Sequence, residues 1–469
     1  MKKYTSLAAV QVDLDTKLLT CTDLVKYFLE NIESKKHLNA FLEVFGNEAS
    51  ERAQVLDRKE GKKGKLFGLV IALKDNICYE GHKVSAASKM LENFESIYSS
   101  TAVNRLLAED AIIIGRLNCD EFAMGGSNEN SAFGPVLNEI DNTRVSGGSS
   151  GGSAVAVQAN LCHASLGSDT GGSIRQPAAF CGVVGLKPTY GRVSRHGLIA
   201  FASSFDQIGP LTHSVADARL ILEVLNGQDE YDSTAIQNRV TSYPIEKEKT
   251  YKIAYFKQAI ESDGLNPEIK AAFLDLIEKL KSKGHRVQSI EFPLLEYVVP
   301  TYYVLTTAEA SSNLSRYDGV HYGFRSPDAK NMEEVYKKSR TEGFGKEVKN
   351  RIMLGTFVLS AGYYDAYYSK AQKVRRLLQD EVSKIYTSSD FILSPTTPTP
   401  AFKIGEKTKD PVEMYLEDIY TVLANLVGNP AISLPMYTTS GNLPIGMQIM
   451  ANNQEEAKLL SFASDLENF

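Results

Sequence analysis

Two glycine- and serine-rich loops dominate this sequence: Ser146-Gly147-Gly148-Ser149-Ser150-Gly151-Gly152-Ser153 and, after the apolar stretch 154–159, Gly167-Ser168-Asp169-Thr170-Gly171-Gly172-Ser173-Ile174-Arg175. Glycine lets the backbone approach a ligand closely and adopt positive φ, and successive free N–H groups form an anion-binding concavity. A serine in such a loop can act as a nucleophile. The stretch therefore predicts a site built from two loops around one apolar element.

Several interpretations of these loops compete. A flexible linker would not enclose an apolar element or continue into the apolar run 182–186. A phosphate-binding loop requires a Gly-Lys-Ser/Thr ending or a GxGxxG turn, and these loops have neither. Residues 147–151 match the GxSxG pattern of α/β-hydrolases, but that mechanism also needs an acid and a histidine, and His196, His213 and His285 have no supporting context. A serine activated by a neutral lysine is the remaining interpretation.

The lysine that could activate such a serine is Lys74. It follows the apolar run 69–73, which is typical of a buried strand, and it precedes Asp75 and Asn76. Burial disfavours the charged form of an amine, so a lysine at this position can become a base. The alternative is an ordinary solvated lysine at the end of a strand.

Strands alternate with helices along the chain. The run 111–115 resembles a second buried strand, and the strands 251–256 and 287–292 flank a helix that begins at Asn266-Pro267 and ends at Gly284. A further helix begins near Thr22-Asp23. This order predicts an α/β fold with a large, mixed, mostly parallel β-sheet that is covered by helices on both faces.

The chain length allows one large domain or several. The 469 residues contain no internal repeat and no flexible interdomain linker, so we predict a single domain over 1–469, with N-terminal helices in about 1–60. Residues 228–250 are polar and aperiodic, and 321–350 are rich in charge and glycine, which favours excursions from the sheet at both places. The alternative is a separate lobe formed by 228–350.

Composition and charge exclude several classes of protein. Hydrophobic residues make up 43% and charged residues 23%, as in ordinary globular proteins. The net charge of −6 argues against a broad basic face that grips nucleic acid. Five cysteines without CxxC spacing and seven scattered histidines predict neither a disulfide framework nor a metal site. The lack of an apolar leader and of any run of about 18 apolar residues predicts a cytoplasmic protein without a membrane segment.

Three segments together resemble the amidase signature family: Ala72-Leu73-Lys74-Asp75-Asn76, the loop 147–152, and 167–177 continued by Gly185-Leu186-Lys187-Pro188-Thr189. The resemblance implies the amidase-signature fold and a Ser–cis-Ser–Lys triad. It makes Ser173 the nucleophile, Ser149 the cis-peptide serine that relays the proton, and Lys74 the base. It also implies an oxyanion hole made of three backbone N–H groups, those of Thr170, Gly171 and Gly172.

Further motifs are similar to one branch of that family, the A subunits of tRNA-dependent amidotransferases: Tyr190-Gly191-Arg192-Val193-Ser194-Arg195, Ala310-Ser311-Ser312-Asn313-Leu314, 354–357 and 362–368. The resemblance implies that this chain hydrolyses glutamine in a heterotrimer with B and C subunits. The B subunit would receive the ammonia, hold most of the misacylated tRNA, which is Glu-tRNA(Gln) or Asp-tRNA(Asn), and use ATP and Mg²⁺. This chain itself would then carry no cofactor.

The same resemblance implies a set of residues that bind glutamine. Arg351 corresponds to the group that holds the α-carboxylate bidentately, and Asp418 corresponds to the group that pairs with the α-ammonium. Tyr302 corresponds to a further contact, with the neighbouring Tyr303 as an alternative. The remaining positions lie in one nearby loop, at Gly125 and Ser127.

Two other functions stay open at this point. A free-standing amidase of the same family would act on small amides without a partner. A catalytically silent scaffold protein would need no active site, and the presence of Lys74, Ser149 and Ser173 argues against it. The charges of Arg351 and Asp418 favour an amino-acid substrate over a simple amide.

Overall fold

The computed structural model describes residues 4–246, 249–407, 411–467 and 469. Its strands are β1 (Phe41–Val44), β2 (Val70–Lys74), β3 (Ile112–Leu117), β4 (Ala164–Asp169), β5 (Val184–Lys187), β6 (Gln207–Thr212), β7 (Lys252–Phe256), β8 (Arg286–Ile290), β9 (Phe391–Pro395), β10 (Ala431–Thr438) and β11 (Pro444–Ala451). In the described part of the chain they form one sheet of eleven strands in the order β1-β3-β2-β4-β6-β5-β10-β11-β9-β7-β8.

The α-helices surround this sheet. They are α1 (Leu7–Asp15), α2 (Cys21–Ser34), α3 (Gly46–Asp57), α4 (Thr101–Ala108), α5 (Gly151–Gln158), α6 (Arg175–Cys181), α7 (Val215–Leu225), α8 (Lys257–Glu261), α9 (Pro267–Ser282), α10 (Val298–Asn313), α11 (Met332–Gly343), α12 (Lys346–Val358), α13 (Lys370–Ile385), α14 (Pro411–Leu416), α15 (Val422–Val427) and α16 (Glu456–Leu466). Within the described ranges, no helix combines the length and the apolar character that a bilayer span requires.

Strand directions confirm a mixed sheet but not a mostly parallel one. Strand β2 runs parallel to β3 and β4, and β7 runs parallel to β8 and β9. The other six pairs of described strands are antiparallel. The prediction of a mostly parallel sheet is therefore wrong. One reason is that only the short turn 439–443 joins β10 to β11, and such a connection permits antiparallel pairing alone.

Strand β2 illustrates why helices cover both faces. Val70 and Ala72 belong to one apolar cluster, whereas Ile71 and Leu73 belong to another. Successive residues of a strand point to opposite faces, so each face of the sheet carries its own apolar layer. Residues of α2, α3 and α5 lie in the first cluster, and residues of α4, α7 and α10 lie in the second. This arrangement confirms the predicted α/β class.

Local elements follow the sequence closely, with a difference at the start of α2. Strands β7 and β8 pair in parallel around α9, as predicted for a strand–helix–strand unit. The N-terminal helix α2 is capped by Thr20 and not by Thr22, because Thr20 Oγ1 accepts from the Asp23 N–H at 3.0 Å while the Thr22 hydroxyl donates to Asp57 at 2.6 Å. The charged stretch 321–350 contains α11 and the start of α12.

The stretch 228–350 also contributes to the common sheet. Strand β7 lies within it and pairs with β9, from the C-terminal part of the chain, through Ile253 opposite Phe391 and Ala254 opposite Ile392. Strand β8 then forms the end of the sheet beside β7.

Candidate active site

The two glycine-serine loops meet at the carboxyl ends of two neighbouring strands inside the sheet, β2 and β4. Strands β2 and β4 are parallel neighbours, with Leu73 opposite Leu166. Their carboxyl ends therefore lie side by side, and they deliver Lys74 and Asp169 to the same region. The second loop follows β4 directly, and the first loop leads into α5, which packs on β4. The fold thus brings together segments that lie far apart in the chain.

Lys74 is fully buried among hydroxyl groups. Its Nζ lies 2.7 Å from Ser149 Oγ, 2.9 Å from Ser150 Oγ and 2.9 Å from Ser168 Oγ. Burial lowers the pKa of Lys74 to about 8, although nearby acidic groups oppose this effect. The amine can therefore be neutral near physiological pH, and a neutral amine can accept a proton from Ser149.

Hydrogen bonds hold the backbone on both sides of the Ser149 side chain. The peptide bond between Gly148 and Ser149 is cis. The Gly148 N–H donates to Gln176 Oε1 at 2.9 Å, and the Ser149 carbonyl accepts from the Asp120 N–H at 3.1 Å. Gly148 has no room for a side chain, because an added Cβ would lie 2.0 Å from Asp120 Oδ2. These contacts direct the Ser149 hydroxyl toward Lys74.

Ser173 lies in the loop between β4 and α6 and is the most accessible serine of the site. It is 9% exposed, whereas Ser149 and Ser150 have no exposed surface. Its carbonyl accepts from the Ser150 N–H at 3.2 Å, which ties the two glycine-serine loops together. Ser173 therefore keeps some exposed surface, whereas Ser149 is enclosed beside Lys74.

Asp169 anchors the loop around Ser173. Its Oδ1 accepts from the Gly172 N–H at 2.9 Å, and its Oδ2 accepts from the Ile174 N–H at 3.1 Å. Arg175 forms an ion pair with Asp169 at 2.9 Å, and both side chains are fully buried. Burial alone would raise the pKa of Asp169, but the guanidinium of Arg175 lowers it to about 2. The carboxylate therefore stays ionised and holds the residues on both sides of Ser173.

The structure narrows the predicted set of oxyanion donors. The Gly172 N–H is already bonded to Asp169, so this group is not available to a substrate oxygen in the observed geometry. The N–H groups of Thr170 and Gly171 remain the predicted donors. Gly171 must be glycine, because an added Cβ would lie 2.5 Å from the ring and the hydroxyl of Tyr302. Tyr302 therefore covers the predicted oxyanion loop.

Arg351 is buried near that tyrosine, and Asp418 is partly buried there. Arg351 is 5% exposed, and its Nε donates to Glu347 Oε1 at 2.8 Å. The Asp418 Oδ2 accepts from the Tyr303 hydroxyl at 3.3 Å. Burial raises the pKa of Asp418 to about 7 despite the opposing effect of Arg351. Three rings lie 5.4 to 5.7 Å from the Arg351 guanidinium, those of Phe201, Tyr303 and Tyr415.

The loop with Gly125 and Ser127 wraps around Asp120, beside the cis peptide bond. The backbone N–H groups of Asn128 and Asn130 donate to the Asp120 carboxylate at 2.9 and 3.1 Å. A Cβ on Gly125 would lie 2.3 Å from Asp120 Cγ, and one on Gly148 would lie 2.9 Å from the Ser127 nitrogen. The fold thus places both predicted positions next to the loop of Ser149.

Sequence reasoning missed several residues that build this site. Their side chains hold Lys74, the two glycine-serine loops or the buried charges, and they are Ser150, Ser168, Asp169, Gln176, Glu347 and Thr421. Most lie within the loops themselves or at helical spacing, as Glu347 does four residues before Arg351. No local sequence pattern indicated that Thr421 belongs to the site. No group of three or more potential metal ligands occurs in the part of the chain that the structure describes.

Known proteins resemble this chain over nearly its whole length. Residues 23–460 match the amidase family. The A subunit of the glutamyl-tRNA(Gln) amidotransferase of Chlorobium phaeobacteroides is 52% identical over 467 residues, which cover 97% of this chain and 98% of that protein. The crystal structure of the corresponding A subunit of Thermotoga maritima is 42% identical, with a TM-score of 0.78 and coverage of 94% of this chain and 93% of that chain.

Overall shape does not distinguish between enzymes of this fold. A bacterial aryl acylamidase of the amidase signature family has a TM-score of 0.85 at 22% identity, with coverage of 99% of this chain and 96% of that chain. At such low identity the likeness concerns the fold alone. The substrate must therefore be inferred from the residues of the site and from the more similar sequences.

Proposed function

This chain belongs to the amidase signature family, and we propose that it is the glutamine-hydrolysing component of a tRNA-dependent amidotransferase. The observation that carries the proposal is the pair of oppositely charged groups, the buried Arg351 and the partly buried Asp418, beside Tyr302. Tyr302 in turn contacts Gly171 in the loop of Ser173. Glutamine carries an α-carboxylate and an α-ammonium, whereas a simple amide carries neither. The 52% identity with the Chlorobium A subunit supports the same choice.

Acylation begins when Ser173 Oγ attacks the carboxamide carbon of glutamine. The Ser173 proton moves to Ser149, whose own proton moves to the neutral Lys74, and the carbonyl electron pair moves onto oxygen. The N–H groups of Thr170 and Gly171 stabilise this oxyanion. When the intermediate collapses, the C–N bond breaks and the leaving nitrogen takes the proton from Lys74 by way of Ser149. Ammonia leaves, and a glutamyl ester remains on Ser173.

Deacylation repeats the same proton path with water. A water molecule attacks the ester carbon and gives its proton through Ser149 to Lys74. The C–O bond to Ser173 then breaks, Ser173 recovers a proton, and glutamate leaves. Both half-reactions need Lys74 in its neutral form when the attack begins, and burial provides it by lowering the pKa of Lys74 to about 8.

The ammonia serves a reaction on a partner. The B subunit activates the misacylated tRNA with ATP and Mg²⁺ and converts it to the amide, and the C subunit completes a cytoplasmic heterotrimer. This chain holds glutamine and no cofactor. Its net charge of −6 suits a protein that leaves the tRNA backbone to its partner. The names of the relatives support Glu-tRNA(Gln) as the substrate of the assembly, with Asp-tRNA(Asn) as a further candidate.

A free-standing amidase is the second candidate. A solved amidase that is 31% identical has a TM-score of 0.85 and covers 99% of this chain and 99% of that chain. The fold therefore supports either activity. The two candidates differ in what they require, because the amidotransferase component needs partners and prefers glutamine, whereas the free-standing enzyme needs no partner and prefers small amides.

Co-expression with candidate B and C chains separates these functions. The purified complex should contain all three chains and form Gln-tRNA from Glu-tRNA when glutamine and ATP are supplied. Mass spectrometry of the quenched reaction should find the glutamyl adduct on the peptide of Ser173. If no partner assembles and the isolated chain hydrolyses simple amides faster than glutamine, the free-standing amidase replaces the amidotransferase component.

The carboxylate of Asp418 should determine the affinity for glutamine. Asp418→Asn should raise KM for glutamine about 30-fold or more, because removing one partner of a hydrogen-bonded charge pair between protein and substrate costs about 2 kcal/mol or more. The ionised carboxylate binds the α-ammonium, so KM in the wild type should fall as the pH rises through about 7, the raised pKa of Asp418. Steady-state kinetics against pH should show this dependence in the wild type and not in Asp418→Asn.

A substrate without the α-ammonium provides the internal comparison. A reactive ester that lacks this group should be turned over almost equally by the wild type and by Asp418→Asn. Asp217→Asn is the protein control, because burial likewise raises the pKa of the Asp217 carboxyl but this residue lies on α7. Equal losses on both substrates would mean that Asp418 has only a structural role.

A further inference from the structure

Thr421 lies between the predicted oxyanion loop around Gly171 and the proposed glutamine clamp, which consists of Arg351 and Asp418. It directly precedes α15, and its side chain is completely buried. The mechanism described above gives it no part, since it is neither a proton carrier nor a charged group. Its contacts nevertheless join two regions of the site that have separate tasks.

On one side Thr421 is bonded to the turn of Asp418. The N–H groups of Thr421 and Val422 donate to the Asp418 carbonyl at 3.0 and 3.1 Å. The Thr421 Oγ1 lies 3.1 Å from the same oxygen. The backbone of Asp418 is therefore held in place by Thr421 and the first residue of α15.

On the other side Thr421 contacts the oxyanion loop. Its Oγ1 donates to the Gly171 carbonyl at 2.6 Å. A hydroxyl has one hydrogen, so this shorter contact is the main hydrogen bond. The side chain also fills the space beside Gly172, where an added Cβ would lie 2.2 Å from Thr421 Oγ1 and 2.7 Å from Thr421 Cβ.

The peptide group between Gly171 and Gly172 is consequently held at both ends. Thr421 binds its carbonyl at 2.6 Å, and Asp169 binds its N–H at 2.9 Å. Arg175 closes the network, because it pairs with Asp169 and donates to the Thr421 carbonyl at 2.9 Å. A peptide group is planar, so two bonds at opposite ends fix its orientation and constrain the adjoining Gly171 N–H.

We propose that Thr421 is a positioning residue that fixes the location of the oxyanion N–H groups relative to the glutamine clamp. This inference rests on the proposed hydrolysis of glutamine. The hydroxyl touches no reacting atom and acts through Gly171 on one side and Asp418 on the other. When the α-ammonium is held at Asp418, the carboxamide oxygen meets a correctly oriented N–H at Gly171. Loss of the hydroxyl therefore slows catalysis more than it weakens binding.

The test is Thr421→Val in the co-expressed complex, because valine keeps the shape and removes the hydrogen bond. The kcat for glutamine should fall roughly 10- to 100-fold, less than the loss of a direct oxyanion donor, while KM should stay within about twofold. Thr421→Ser should recover most of the kcat. The matched control is Thr212→Val, because Thr212 is equally buried and donates to the Ser214 carbonyl at 2.7 Å, but lies at the opposite end of β6 from the site.

Distinct outcomes separate this inference from the proposed function. A wild-type complex without glutaminase activity would refute the function and the inference together. With an active wild type, an unchanged kcat in Thr421→Val, a loss confined to KM, or a Thr421→Ser that is as slow as Thr421→Val would overturn the inference alone. If Thr421→Val does not assemble, Thr421→Cys takes its place, because a thiol is a weak donor and should remain slow where serine is fast.

Discussion

Replacing Ser173 by alanine should abolish glutamine-dependent amidation of tRNA by the assembled complex and leave ammonium-dependent amidation intact. Glutaminase activity should fall by about 10⁴-fold or more, because no other group takes over from a missing nucleophile. High concentrations of an ammonium salt should restore formation of Gln-tRNA, since that reaction needs an amine and ATP activation on the partner. The measurement compares the two nitrogen donors in one tRNA assay.

A remote serine provides the control for that experiment. Ser461 is buried on α16, where its hydroxyl donates to the Pro244 carbonyl at 3.1 Å, and Ser461→Ala should keep both activities. Loss of the ammonium-dependent reaction in Ser173→Ala would mean that Ser173 supports the assembly instead of producing ammonia. Full glutaminase activity in that variant, with an adduct on Ser149, would overturn the assignment of the nucleophile.

Replacing Lys74 should nearly eliminate glutaminase activity, even when a positive charge is retained. Lys74→Arg should lower kcat by about 10²- to 10⁴-fold, because a guanidinium stays protonated and cannot accept the proton from Ser149. In the wild type, kcat should rise with pH and level off above about 8, where the lowered pKa of Lys74 leaves the amine neutral. Lys74→Met should be inactive at every pH, which separates the missing base from the added bulk of arginine.

Lys35→Arg is the matched control for the charge-conserving change. Lys35 is partly buried, and its Nζ lies 2.6 Å from Glu139 and 3.0 Å from the Ala159 carbonyl, away from the two loops. This variant should retain wild-type kinetics. Substantial activity in Lys74→Arg, or a kcat that does not change between about pH 6 and pH 9, would rule out the base role of Lys74.

Local sequence patterns predicted the elements that deliver the site. An apolar run predicted β2 with Lys74 at its end, and the Asn266-Pro267 start and Gly284 end predicted α9 between two parallel strands. These predictions succeed because alternation, capping and strand burial depend on neighbouring residues. Strand direction across the sheet depends on connections between distant segments, which explains why the mostly parallel sheet was predicted wrongly.

The sequence likewise predicted some features of the candidate site and not others. The loops of Ser149 and Ser173 and the resemblance they carry are visible in the sequence, because glycine-serine runs around an apolar segment are unusual. The bond of Asp169 to the Gly172 N–H was not visible, and it removes one of the three predicted oxyanion donors. A backbone N–H carries no sequence signal that says which acceptor it will find.

The sequence by itself determined the chemical groups of this protein: a lysine after an apolar strand, two serine loops, and the charges of Arg351 and Asp418. Only the tertiary structure decided how they act. Burial away from water lowers the pKa of Lys74, and burial depends on the whole surrounding volume instead of on neighbours in the chain. The contact of Thr421 with Gly171 joins residues 250 positions apart, and such a contact forms only in the folded chain.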